Sequence, residues 1–125
     1  MGWVEELKAL LSSLGVSFEV EESVRIHVGD VVAEVVEEDG SITVTASVSL
    51  PTPDAGPGDV DYYASQYRTA LRLMLGLGGG LEYELDTSLP DYPLLRIVKR
   101  FREPGEVLEA LRRSLESLKR STVSD

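Results

Sequence analysis

A chain of 125 residues with 42% hydrophobic and 27% charged side chains has the composition of one ordinary globular domain, long enough to bury about two thirds of its unfolded surface. It has no Cys, which excludes disulfides, thiolate metal sites and Cys nucleophiles, and no apolar run near the roughly 18 residues that a membrane span needs. The net charge of −10 is concentrated at one end: residues 1–66 carry 13 acids against Lys8 and Arg25, residues 67–125 carry 9 acids against 10 bases, and such a surface disfavours general nucleic-acid binding.

Other totals refine the class. There is no Asn and a single Gln, Gln66, a depletion of thermolabile side chains reported for proteins of hot environments. Residues 1–14 mix charges into their apolar positions, unlike a signal peptide, so a cytoplasmic location is the default expectation.

Trp3, Val4, Leu7, Leu10, Leu11 and Leu14 recur at helical spacing and Gly15 follows, which predicts an amphipathic first helix with a glycine stop. Val16, Phe18 and Val20 then alternate with polar residues, and Val24, Ile26 and Val28 keep the same parity. Residues 16–28 are therefore one long strand or two pieces broken near Glu21-Glu22-Ser23, and the alternation does not choose between them.

The stretch from Ser23 to Leu50 is the most legible. Asp39-Gly40 is a strong hairpin signal, because a type I′ turn needs φ > 0 at both central residues, and Gly29-Asp30 is a second permitted two-residue turn. Two-residue loops at both places set Val24 opposite Val35, Ile26 opposite Ala33 and Val28 opposite Val31. Across the second turn they set Val35 opposite Val44, Ala33 opposite Ala46 and Val31 opposite Val48. Facing partners share a side of the sheet, so both turns agree on one apolar face, and a slip of one residue would destroy it. Pro51 ends the last of these strands, and residues 51–58 form a stiff connector rich in Pro and Gly.

Asp59 is read as the N-cap of a second helix running to about Leu75, with Val60, Tyr63, Ala64, Tyr67, Leu71, Met74 and Leu75 on its apolar side. The glycines from Gly76 to Gly80 stop it. Leu81, Tyr83 and Leu85 alternate with Glu82, Glu84 and Asp86, and Leu95, Ile97, Lys99 and Phe101 alternate with Leu94, Arg96, Val98 and Arg100. If the two strands pair, Glu82 and Glu84 can face Arg96 or Arg100. Pro104 opens a last helix with a Leu108, Leu111, Leu115 and Leu118 seam, and residues 121–125 are expected to fray as a tail to a single domain over 1–120.

Signals for chemistry are few. His27 is the only His and falls on the polar face, which favours a plain surface histidine over a general base. Asp54, Asp59 and Asp61 miss the EF-hand spacing, and helix capping accounts for Asp59 without a metal. The glycine run follows a helix and precedes a strand, the reverse of a phosphate loop. The later cations, from Arg96 to Arg120, are expected to neutralise acidic strand 81–86 and the acidic first half more than to hold a partner. No catalytic, cofactor or metal residue is assigned.

The polar face of the first meander carries Val32 and Val36, and the second hairpin adds Leu94 and Val98 beside Arg96 and Arg100. With all three helices on the other face these four apolar residues stand in water, and a contiguous apolar patch marks an interface. A homodimer through Val32, Val36, Leu94, Val98, Arg96 and Arg100 is the expectation, with the leucine seam of the last helix as the competing surface.

The fold class expected is α+β in two layers: an antiparallel sheet of about five strands with helices on one face, in the order α-β-β-β-α-β-β-α. The segment Leu10-Leu11 through Gly15-Val16, the Asp39-Gly40 hairpin, Leu50-Pro51 and the helix from Asp59 give this chain an element order that resembles the type III secretion chaperone-like fold and the related YbjN group. The resemblance implies a dimeric, non-enzymatic protein that holds or regulates other polypeptides. The leading function is thus a non-catalytic protein-binding or chaperone-like module with no cofactor. One alternative is a small-molecule-binding or enzymatic domain whose pocket lies between sheet and helices near Tyr62, Tyr63 or Tyr67. Another is an accessory subunit of a nucleic-acid-processing complex that touches protein more than phosphate.

Overall fold

Both tight turns form with the backbone signs that their sequences demand. Asp39 has φ 50° and Gly40 φ 83°, as a type I′ turn requires, while at the other turn only Gly29 is left-handed, at φ 60°. A computed structural model describes residues 2–52, 54, 56–89 and 91–124; Pro53 and Ala55 of the connector, Pro90 and Asp125 lie outside the described residues.

The chain runs α1 (Gly2–Leu14), β1 (Ser17–Val20), β2 (Val24–Val28), β3 (Val31–Glu38), β4 (Ser41–Ser49), α2 (Pro57–Leu75), β5 (Glu82–Asp86), β6 (Leu94–Phe101) and α3 (Pro104–Ser124). All strand pairs are antiparallel, in one sheet of order β1-β2-β3-β4-β6-β5. The registers worked out from the turns are those observed: Val24 faces Val35, Ile26 faces Ala33, Val35 faces Val44 and Ala33 faces Ala46.

Two details correct the sequence reading. The sheet has six strands rather than about five, because residues 16–28 make two strands joined at 21–23, where the Glu21 amide donates to the Ser23 carbonyl at 3.0 Å. Helix α2 begins at Pro57 behind Gly56, which caps it with no side-chain hydrogen bond, so Asp59 lies inside the first turn and is not the cap. Its carboxylate still suits the positive helix end, and proline at the first helical position loses no hydrogen bond. Helix α3 is assigned over Pro104–Ser124.

One face of the sheet carries the core. Val24, Ile26, Val31, Ala33, Val35, Ile42, Val44, Ala46, Val48 and Ile97 are each at most 2% exposed and pack with Trp3, Leu7 and Leu11 of α1, Ala70, Leu73 and Met74 of α2 and Val107, Leu111 and Leu115 of α3. The leucine seam of α3 is therefore core and offers no competing dimer surface: Leu111 and Leu115 are buried, and Leu108 and Leu118 pack against the cluster. Helix α1 ends in a Schellman arrangement, in which the Gly15 amide donates to Ser12 and the Val16 amide to Leu11, with Gly15 at φ 72°. The helices stop short of β5, whose helix-side residues Tyr83 and Leu85 stay 53% and 63% exposed although their alternation reads as half-buried.

Candidate functional site

The face of the sheet opposite the helices is where the six interface candidates come together. Strict alternation along β3 puts Val32, Glu34 and Val36 there, and along β6 it puts Leu94, Arg96, Val98 and Arg100 there. Between the two runs β4, which presents Ser41, Thr43, Thr45, Ser47 and Ser49. With strands about 4.8 Å apart, the Val32/Val36 ridge and the β6 ridge stand about 10 Å apart across a trough of small side chains.

Burial on this face differs from expectation at all four apolar residues, and most at Val98. Val98 is only 4% exposed, while Val32, Val36 and Leu94 are half-buried. The same-face neighbours of Val98 are Arg96 and Arg100 along its strand, Thr45 on β4 and Glu82 on β5, and those long side chains shelter it. Three half-buried apolar side chains, and not four standing in water, make the patch.

Charges on the open face are mostly paired within the chain. Arg96 reaches Asp86 at 2.9 Å, Arg100 reaches Glu82 at 3.7 Å, Arg25 reaches Glu34 at 3.5 Å, and the His27 Nε2 lies 2.8 Å from Glu19. Glu84 sits directly opposite Arg96, but the guanidinium turns to Asp86. The Ser88 hydroxyl and amide both donate to Asp86, at 2.6 and 3.0 Å, and together with Arg96 they hold its carboxyl below the usual aspartate range. A carboxyl depressed in the folded state stabilises above the unfolded-state value and loses that contribution as pH falls through the folded value. The Asp86 carboxyl carbon, followed by NMR, is therefore expected to titrate below a free aspartate, and Ser88→Ala to move it upward.

Arg96 and Arg100 pair with the acidic strand, as expected, while other later cations find different partners. Lys99 donates to the Gly79 carbonyl, Lys119 to the Leu14 carbonyl at 3.3 Å, and Arg112 to Glu109 at 2.8 Å. Arg102 and Arg113 have no such partner among the described residues.

Among the described residues, the grooves found are not lined by the tyrosines of the sequence alternative. A groove of ≈ 640 Å³ opens where the end of β6 meets the start of α3, and none of Tyr62, Tyr63 or Tyr67 lines it. Tyr62 instead donates to Asp30 at 3.1 Å, which raises the phenol above its usual range, and stacks edge-on against Tyr63 with ring centroids 5.7 Å apart. Among the described residues no three His, Asp or Glu side chains group as a metal site, and no helix is long and apolar enough to cross a membrane. Sequence reasoning missed the groove, because its walls come from three separate stretches of chain.

No protein-family model matches the sequence, and no curated protein matches it. Among solved structures, the chain is similar to the crystal structure of YbjN, a putative transcription regulator from E. coli, at 19% identity over 94% of this chain and 86% of that one, with a TM-score of 0.52. The fold is YbjN-like. At this identity the likeness speaks for the architecture alone: the YbjN-like order of helix, meander, helix, hairpin and helix accounts for the open sheet face, and the side chains on that face are this chain's own.

Proposed function

We propose that the chain is a non-catalytic regulatory module that acts by binding protein, and that it works as a homodimer joined through the open face of its sheet. The observation that carries this reading is the one-sided cover of a six-stranded sheet, with all three helices on the core face and Val32, Val36 and Leu94 left half-buried on the other. Shape supports a two-fold pairing. A Ser/Thr trough on β4, bordered by a valine ridge, is self-complementary when one sheet is turned onto its copy, and paired sheets pack about 10 Å apart. The internal ion pairs support it too, since they leave the ridges without a strong excess of one charge. The fold likeness to a protein described as a putative transcription regulator is consistent with a regulatory role.

Light scattering tests the assembly. The wild-type chain is expected to run at twice 13.7 kDa and the Val36→Glu variant at 13.7 kDa with unchanged circular dichroism. A wild-type monomer at high concentration overturns the dimer.

A further inference from the structure

The groove beside α3 is basic in a molecule whose net charge is −10. Of the chain's 12 cations, four line it: Lys99, Arg100, Arg102 and Arg113. Two are committed elsewhere in part, Lys99 to the Gly79 carbonyl and Arg100 to Glu82. The other two, Arg102 and Arg113, are exposed guanidiniums with no ion-pair partner among the described residues, a state shared outside the groove by Arg68 and Arg72. Against them stand Glu106 and Glu109, and Glu109 is already engaged by Arg112 at 2.8 Å.

The remaining walls suit a ligand with an apolar part. Leu77, Phe101 and Ala110 form a floor, and Lys99 lies 5.4 Å from the centroid of the Phe101 ring, so a cation and an aromatic ring share one wall. A side chain at Gly105 would meet nothing within 4 Å, so the groove is open to the main chain there. Its ≈ 640 Å³ falls within the roughly 300–1,000 Å³ of small-molecule sites.

We propose that this groove binds a small molecule carrying a phosphate monoester on an aromatic or apolar body. Arg102 and Arg113 grip the phosphoryl oxygens, and the floor of Leu77, Phe101 and Ala110 takes the body. A phosphate monoester fits better than a single carboxylate because two free guanidiniums, with Lys99 beside them, match a dianion in charge, and the guanidinium fork matches phosphate oxygens in geometry. The groove shares Arg100 with the open sheet face but is lined by none of Val32, Val36 or Leu94, and it rests on none of the reasoning about them.

The test is a titration of the 125-residue chain with phenyl phosphate at constant ionic strength, followed by amide chemical shifts, with inorganic phosphate in parallel. Saturable shifts at Leu77, Arg102, Gly105 and Ala110, with phenyl phosphate the tighter ligand, are expected. The Arg102→Gln/Arg113→Gln variant, both positions being exposed, is expected to keep its other amide shifts and to bind at least about tenfold more weakly. Equal affinity in the variant, shifts centred elsewhere or a linear unsaturated response overturns the proposal. Phosphatidic acid vesicles form a second arm: co-sedimentation lost in the double variant, beside phenyl phosphate binding, supports the site and identifies a lipid headgroup as the source. Co-sedimentation without phenyl phosphate binding overturns the small-molecule assignment.

Discussion

Val35→Glu is expected to leave no cooperatively folded protein at pH 7, while Val36→Glu, one residue along the same strand, leaves the fold intact. Val35 is fully buried between Val24 and Val44, deep in the face that the helices cover. A carboxylate there must either ionise without water or take up a proton. Buried glutamates shift by up to 3–5 pK units, and at 1.36 kcal/mol per unit that is about 4–7 kcal/mol. Losing the burial of a valine adds about 1.5–3 kcal/mol. Together these match or exceed much of the 5–15 kcal/mol that typically holds a domain together. Val36 points to the other side, opposite Thr43, where a carboxylate in a separate protomer keeps its water, and the change to the protomer's own stability is expected to stay within about 1 kcal/mol. Urea unfolding followed by circular dichroism separates the two. A folded Val35→Glu beside an unfolded Val36→Glu would mean that the register of β3 is off by one.

Gly76→Ala is the second large effect, and its sign is informative. Gly76 caps α2 with φ −64° and ψ −18°, ordinary helical values at which alanine is favoured over glycine by about 1 kcal/mol. Propensity alone thus predicts stabilisation. Packing predicts the opposite, because a Cβ at Gly76 would lie 2.5 Å from the Ser114 Oγ, 2.8 Å from its Cβ and 3.0 Å from its Cα. Ser114 cannot simply rotate away: it is buried, and its hydroxyl donates to the Leu73 carbonyl at 2.6 Å. Overpacking costs about 1–3 kcal/mol and the strained or broken hydrogen bond about 1 kcal/mol more. A net loss of roughly 1–3 kcal/mol is expected by chemical denaturation after propensity is set against it. The double change Gly76→Ala/Ser114→Gly is expected to lose less than the sum of its parts, since it removes two of the three close atoms.

How far the sequence could be read follows from where the information sits. The β2-β3-β4 registers were legible because the turn chemistry at Gly29-Asp30 and Asp39-Gly40 specifies loop length, and loop length specifies every facing pair. The β1–β2 break was not, for a geometric reason. Ser17 faces His27 and Val20 faces Val24, so the bend at 21–23 preserves even parity, and Phe18, Val20, Val24 and Ile26 alternate as if no turn intervened. No Gly or Pro marks it. The start of α2 was misplaced by weighing Asp59 as a cap above Pro57, whose fixed φ is the stronger start signal.

The candidate surface was legible in outline only. Alternation alone assigns Val32, Val36, Leu94, Arg96, Val98 and Arg100 to one face. The shelter of Val98 depends on β6 lying between β4 and β5, a pairing of strands separated by α2 or by a proline-bearing loop. The choice of Arg96 for Asp86 over the directly opposite Glu84 depends on Ser88, which fixes the Asp86 carboxylate from beyond the strand end. The basic groove joins Leu77, the end of β6 and the first turns of α3, and no local pattern announces such a meeting.

The bare sheet face as the meeting surface of two copies is tested most directly by isotope-filtered NOEs on a mixture of labelled and unlabelled chains. Cross-protomer contacts from the Val32, Val36 and Leu94 methyl groups are the predicted result. Cross-protomer contacts confined to other surfaces, or none at concentrations where light scattering sees a single chain, would contradict it.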